Sequence, residues 1–306
     1  MSGYLERLAD RSARVGSVLC LGIDPDPAAL PAGFSADLRG VEAFARLVLE
    51  AAVPFAAAVK PNLAFFEAFG AEGMAALERL RAAVPSGVPV VADAKRGDIG
   101  STAARQAVAL FDRLAADAVT VSPYLGEEAI APLLQRPDRF AYVLCRTSNF
   151  GAAEIQGLVV SADPETDAPA EPVWARVARR VVAWGPGGTV GLVVGATASE
   201  ELAQVRQIAP GMPVLVPGVG AQGGAVAPVL EWGPARQPPA GGRPGGGLLV
   251  NVSRGIAAAA VGGDETGSGG GVAGGLGWDV GERLAAAAAD WAARLPVLSW
   301  AAGRPT

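Results

Sequence analysis

Val88-Pro89-Val90-Val91-Ala92-Asp93-Ala94-Lys95-Arg96-Gly97-Asp98-Ile99-Gly100 runs from an apolar strand straight into a cluster of charge. Val88–Ala92 reads as a buried strand. Alternate side chains of a strand share a face, so Asp93 and Lys95 are expected to point the same way. Asp98 follows a glycine, where the chain turns toward a helix. Charge at the end of a hydrophobic strand is costly unless it faces a cleft and does chemistry there. Two unit charges about 4 Å apart interact by roughly 4 kcal/mol at an effective dielectric near 20. An Asp-Lys-Asp array of this kind keeps the lysine protonated and poised to donate. Taken alone, the same residues also fit a salt-bridge network at a strand end.

Outward from this stretch, strand-like runs alternate with helical patterns. The strands are expected at Val18–Ile23, Ala56–Lys60, Val88–Asp93, Ala118–Ser122, Ala141–Arg146, Val190–Val194, Pro213–Pro217 and Leu248–Ser253. Helices are expected at Val41–Ala52, Ala71–Val84, Ser101–Ala115, Glu127–Leu134, Val173–Trp184, Ser199–Ala209, Gly223–Glu231 and Gly281–Leu295. Gly3–Val15 reads as a lid at the other end. Eight strand-helix units suggest one α/β domain, a (β/α)8 TIM barrel. An open doubly wound sheet gives a similar string. Asp24, Lys60, Asp93, Lys95, Ser122, Arg146, Pro217 and Arg254 all fall at strand C-termini, the rim where barrel active sites sit, and this favours the barrel. Three stretches rich in Gly, Pro or acids, at about 162–172, 233–247 and 262–277, are expected as mobile insertions.

Composition narrows the chemistry. The 306 residues carry a net charge of -5, 51% hydrophobic residues and no histidine. No long basic run is present, so nucleic acid is not an expected partner. No apolar segment is long enough to span a bilayer and no signal peptide is evident, so the expected compartment is the cytoplasm. Cys20 and Cys145 sit in apolar runs and read as buried free thiols. Without histidine, imidazole catalysis and most transition-metal sites are excluded. Catalysis falls to Asp, Glu, Lys, Arg, Tyr or a bound cofactor.

Further candidates follow strand by strand. Lys60 ends the second strand beside Asp93, or is a surface lysine before a proline turn. Asp24 ends the first strand, placed to accept from sugar hydroxyls or to cap a turn. Pro217-Gly218-Val219-Gly220-Ala221-Gln222-Gly223-Gly224 and Ser253-Arg254-Gly255-Ile256 follow the seventh and eighth strands. Loops there are frequent phosphate sites, and a guanidinium forks onto phosphate oxygens. Thr147-Ser148-Asn149 offers polar groups to a ring edge, or an N-cap.

In order along the chain, Leu21–Pro25, Val59–Asn62, Asp93–Gly100, Ser122–Gly126, Arg146–Asn149, Val194–Thr197, Pro217–Gly224 and Ser253–Ile256 resemble the orotidine 5'-phosphate decarboxylase family. The likeness is to its longer bacterial, mycobacterial-type subgroup. The Asp-x-Lys-x-x-Asp motif is shared with sister enzymes; the full set is more specific. Phe150 stands where the subgroup usually has proline. The resemblance implies a dimeric (β/α)8 barrel that uses no metal and no organic cofactor on orotidine 5'-phosphate. It implies that Lys95 protonates C6, that Asp93 faces the departing carboxylate and that Lys60 completes the charge array. Asp24 would bind ribose, Ser148 the pyrimidine, Gln222 base and phosphate, and Arg254 the phosphate, with Pro217 in the same substrate site. Asp98, Ile99 and Thr102 would reach the partner's site. Two other readings remain. A sister sugar-phosphate decarboxylase or aldolase would need an acidic metal ligand where Lys60 stands. A non-catalytic phosphoribosyl-binding regulator would not need the charge array.

Overall fold

Short apolar runs rich in Val, Leu and Ala become the strands of one sheet, buried almost throughout as parallel strands covered on both faces must be. They are β1 (Leu19–Ile23), β2 (Ala58–Pro61), β3 (Val91–Arg96), β4 (Ala118–Val121), β5 (Phe140–Arg146), β6 (Val190–Val194), β7 (Val214–Pro217) and β8 (Leu248–Val252). The computed structural model describes residues 3–165, 167–220, 222–237, 245, 247–261 and 276–298, with backbone alone for 276–279. The parallel ladder runs β2-β1-β8-β7-β6-β5-β4-β3. Bridges Val59 to Val90 and Asn62 to Asp93 join its two ends. There Val59 N donates to Pro89 O at 2.9 Å and Leu63 N to Asp93 O at 3.2 Å. The sheet is therefore a closed eight-stranded parallel barrel, and the open-sheet alternative falls.

Around it lie α1 (Tyr4–Val15), α2 (Leu38–Ala52), α3 (Gly70–Ala83), α4 (Gly100–Ala107), α5 (Ala131–Leu134), α6 (Val173–Val181), α7 (Ser199–Ile208), α8 (Val226–Trp232) and α9 (Leu276–Arg294). Most bury one apolar stripe on the barrel. In α2 that stripe is Val41, Phe44, Ala45, Val48 and Leu49, and Asp37 caps its start by accepting from Gly40 N at 3.0 Å.

One core lies between the sheet and the outer helices, and a smaller one fills the barrel and closes its lower end. Tyr4, Leu5 and Leu8 of α1 pack there with Cys20, Ala58, Phe140, Tyr142, Leu215 and Leu249. The Tyr4 ring stacks on Phe140 at 4.9 Å, and its hydroxyl lies 3.2 Å from that of Tyr142. Gly16, at φ 69, ends α1 in the left-handed conformation that glycine adopts without strain. Gly3–Val15 is thus the lid that the sequence suggests. Nearby, the fully buried Arg206 of α7 donates to the carbonyls of Ala209, Pro210, Met212, Trp232 and Gly233. It ties the α7–β7 turn to the end of α8.

Several boundaries differ from expectation. β3 continues through Arg96, with a register shift between Ala92 and Arg96. The helix expected over Ser101–Ala115 is α-helical only to Ala107 and then π-helical over Val108–Arg113. Of Glu127–Leu134, only Ala131–Leu134 is helical. The insertion at 162–172 has paired backbone, with Val159–Val160 laddered antiparallel to Glu171–Pro172 and Asp163 bridged to Ala168. Composition missed its anchor: Glu171 is buried and accepts from Arg176 at 2.8 Å and Arg179 at 3.0 Å. Burial alone would raise the Glu171 pKa, but the two guanidinium groups outweigh it and hold the carboxyl below its usual range. Most of the other two insertions, 238–244, 246 and 262–275, lies outside the described residues.

Candidate active site

At the C-terminal mouth of the barrel, strand ends deliver their polar residues to a cleft of about 500 Å³. β1 brings Asp24, β2 brings Lys60, β3 brings Asp93 and Lys95, and the loops after β5, β7 and β8 bring Ser148, Gln222 and Arg254.

The centre is a charge array. Asp93 accepts from Lys60 Nζ at 2.5 Å through one oxygen and from Lys95 Nζ at 2.6 Å through the other. The side chains of Lys60 and Asp93 are 5% and 11% exposed, whereas that of Lys95 is 52% exposed. The first two are fixed, and Lys95 presents its ammonium to the cleft. Burial opposes the charged forms of both Asp93 and Lys60. The lysines nevertheless hold the Asp93 pKa well below the carboxylate range, and Asp93 with Asp24 holds that of Lys60 above the lysine range. Buried ion pairs are poor sources of stability because desolvation offsets their attraction, so this array points to chemistry.

Asp93 and Lys95 do meet, but not by simple alternation. The backbone bulges between them, and Lys95 takes φ 46, the left-handed region disfavoured for a residue with a Cβ. Thr120 of β4 holds the bulge. Its hydroxyl donates to Asp93 at 2.9 Å and accepts from Ala94 N and Lys95 N, each at 3.0 Å. One donor and two lone pairs are thereby all used.

The opposite wall is built from loops. Gly218 and Gly220 have φ 93 and 74, which only glycine adopts freely, and they turn the β7 loop over the mouth. Ser148 Oγ donates to Gln222 Oε1 at 2.6 Å, joining the β5 and β7 loops. Arg254 is exposed at the head of the turn after β8 and makes no ion pair among the described residues. Trp291 of α9 buttresses both loops: Nε1 donates to Gly255 O at 3.2 Å, and a Cβ on Gly220 would lie 3.0 Å from its ring. Asp24 Oδ1 and Asn251 Oδ1 are buried without a hydrogen-bond partner.

The cleft thus unites Asp24, Lys60, Asp93, Lys95, Ser148, Pro217, Gln222 and Arg254. Asp98, Ile99 and Thr102 do not line it. Ile99 and Thr102 are exposed, and the Asp98 carboxylate accepts from Ile99 N at 2.8 Å. Sequence reasoning missed Thr120, Asn251 and Trp291. For Thr120 the signal was a lone hydroxyl inside the Ala-Val run of β4; for Trp291 it was an indole N–H on an apolar helix stripe.

The chain is similar to proteins of one family along most of its length. Residues 17–266 match the model of the orotidine 5'-phosphate decarboxylase / HUMPS family. A Thermomicrobium roseum protein named orotidine 5'-phosphate decarboxylase is 45% identical over 83% of this chain and 86% of its own length. One of the same name from Halorubrum lacusprofundi is 48% identical over 83% of this chain and 87% of its own. The Leishmania donovani OMP decarboxylase structure superposes with a TM-score of 0.75 at 36% identity, covering 95% of this chain and 97% of that one. With a family model spanning most of the barrel and relatives aligned over nearly their full length, the chain belongs to the orotidine 5'-phosphate decarboxylase / HUMPS family.

Proposed function

We propose that the chain decarboxylates orotidine 5'-phosphate to uridine 5'-phosphate, the last step in making UMP, with Lys95 protonating C6. The observation that carries this reading is the Lys60–Asp93–Lys95 array facing the cleft of a family barrel. Breaking the bond from C6 to the carboxylate leaves an electron pair on C6 and releases carbon dioxide. Nothing in the pyrimidine ring delocalises that pair well. A fixed ammonium stabilises it as it develops and then forms the C6–H bond, after which the Lys95 amine regains a proton from solvent. Asp93, ionised under its lysines, crowds the substrate carboxylate and is relieved when carbon dioxide leaves. Lys60 keeps Asp93 ionised and placed.

The remaining residues hold the substrate. Arg254 and the β7 loop take the phosphate, whose binding energy drives loop closure. Asp24, whose Oδ1 is buried without a donor, suits a ribose hydroxyl. Ser148 and Gln222 take the base, and Pro217 lines its pocket. No metal or organic cofactor is called for. Lys60 fills the position where a sugar-phosphate relative would need an acid, and its ammonium is bonded to Asp93. A cytoplasmic location is part of the same proposal.

The direct test is Lys95→Ala. It should abolish turnover, followed as loss of orotidine 5'-phosphate absorbance, while UMP binding persists. Retention of more than about a tenth of wild-type turnover, roughly 1.4 kcal/mol of barrier, rejects the assignment. A homodimer belongs to the same proposal, with Asp98, Ile99 and Thr102 serving the partner's cleft; all three lie outside their own. Asp98→Asn and Lys95→Ala homodimers should each be nearly inactive. Re-equilibrated together, they should regain activity toward half of wild type per heterodimer. No recovery, with heterodimers verified by native mass spectrometry, means that each site is built within one chain.

A further inference from the structure

Gln156 follows the short helical turn Ala152–Ile155 and reaches back to the β5 loop. Its Oε1 accepts from Thr147 N at 2.9 Å, and its Nε2 donates to Thr147 Oγ1 at 2.8 Å. The backbone N–H is an obligate donor, so the orientation of the amide is fixed by chemistry. Thr147 Oγ1 in turn donates to Asn149 Oδ1 at 2.6 Å, and Thr147 O accepts from Arg146 at 2.8 Å. Every polar group of Thr147 is therefore engaged, and the residue after it is Ser148.

Ser148 has little freedom of its own. A Cβ on Gly195 would lie 2.8 Å from Ser148 N and Cβ, and one on Gly218 3.3 Å from its Oγ. The serine sits in a slot between two strand ends, and the Thr147 brace sets how far it enters.

Gln156 is itself anchored. Its carbonyl accepts from Trp174 N at 3.0 Å, and Leu158 O accepts from Val173 N at 2.8 Å, both at the start of α6. Beyond lies the hairpin of Val159–Val160 with Glu171–Pro172, locked by Glu171 to two arginines of α6.

We propose that Gln156 is a positioning residue that braces Thr147 so that Ser148 is preset for the pyrimidine, and that the 159–172 hairpin anchors this brace to α6. The proposal rests on the functional reading above, in which Ser148 contacts the base. It assigns the hairpin, otherwise without a task, to base recognition and not to phosphate binding.

The test separates base from phosphate. UMP and ribose 5-phosphate are titrated against the wild-type protein, Gln156→Leu and Gln156→Glu, with turnover of orotidine 5'-phosphate measured alongside. The leucine removes both bonds to Thr147 at similar volume; the glutamate keeps an acceptor for Thr147 N. With two hydrogen bonds lost from the brace, UMP affinity and kcat/KM should fall about tenfold or more in Gln156→Leu, and less in Gln156→Glu. Ribose 5-phosphate affinity should stay within about twofold, since no contact to Arg254 or the β7 glycines changes. Equal weakening of both ligands, or no change in either, overturns the proposal. If Gln156→Leu does not fold, the same two-ligand ratio in Gln156→Glu decides. A wild-type protein that binds neither UMP nor substrate overturns the functional reading itself, a distinct result.

Discussion

Replacing Thr120 by valine keeps the shape of β4 and deletes one hydroxyl. That hydroxyl accepts from Ala94 N and Lys95 N and donates to Asp93. A buried N–H left without an acceptor costs about 1–3 kcal/mol, and the lost bond to the carboxylate adds about 1 more. With two such N–H groups and one lost bond, Thr120→Val should destabilise the fold by roughly 3–7 kcal/mol, against a usual total of about 5–15. The catalytic effect should be larger than stability alone suggests. Lys95 holds φ 46, a conformation disfavoured by about 1–2 kcal/mol, and Thr120 is what retains it. Freed, the backbone relaxes to negative φ and carries the ammonium off Asp93. Misplacement of a reacting group by about 1 Å costs on the order of 100-fold in rate, so kcat should fall by about that factor. Urea unfolding measures the first effect, and loss of orotidine 5'-phosphate absorbance at saturating substrate the second. Thr120→Ser retains the hydroxyl and should recover most of both. A valine variant with kcat within about threefold of wild type and stability within about 0.5 kcal/mol would refute the role given to this residue.

Further predictions concern pH and the lower end of the barrel. The lysines depress the folded pKa of Asp93 below its unfolded value of about 3.9, so its contribution is complete above that value and is lost only as pH falls below it. Turnover at saturating substrate should accordingly show no Asp93 titration between about pH 5 and 7; an acid limb in that window, abolished by Asp93→Asn, would contradict the assignment. Arg206→Met strips the donor from five carbonyls, those of Ala209 and Gly233 buried and the other three partly so, and should lower stability by roughly 3 kcal/mol, read by urea unfolding. The kcat/KM of the folded Arg206→Met enzyme should match wild type, because Arg206 lies at the far end of β7 from the cleft.

Much of the site was legible because its residues occupy a repeated position. Asp24, Lys60, Asp93, Pro217 and Arg254 each stand at or just past a strand end, where an apolar run stops at a functional group. The bulge at Lys95 was not legible. Alternation also puts Asp93 and Lys95 on one face, so nothing in the pattern marks the left-handed turn that brings the two together. Thr120 escaped because its partners are backbone groups of another strand, which no local spacing reveals. Trp291 escaped because a tryptophan on a helix stripe reads as core, and it is core as well as a loop buttress. The 162–172 hairpin escaped because its order comes from one buried carboxylate and two arginines, not from apolar area.

The two ends of the described barrel meet at its lower face. Ser17 bridges Pro296, and Ser17 Oγ and Val18 N both donate to Leu295 O, at 2.8 and 2.9 Å. The α1 plug lies on that same side, with the cleft at the opposite pole. A fused domain, an affinity handle or a surface tether attached through either end therefore loads the base of the molecule and leaves its mouth facing the bulk.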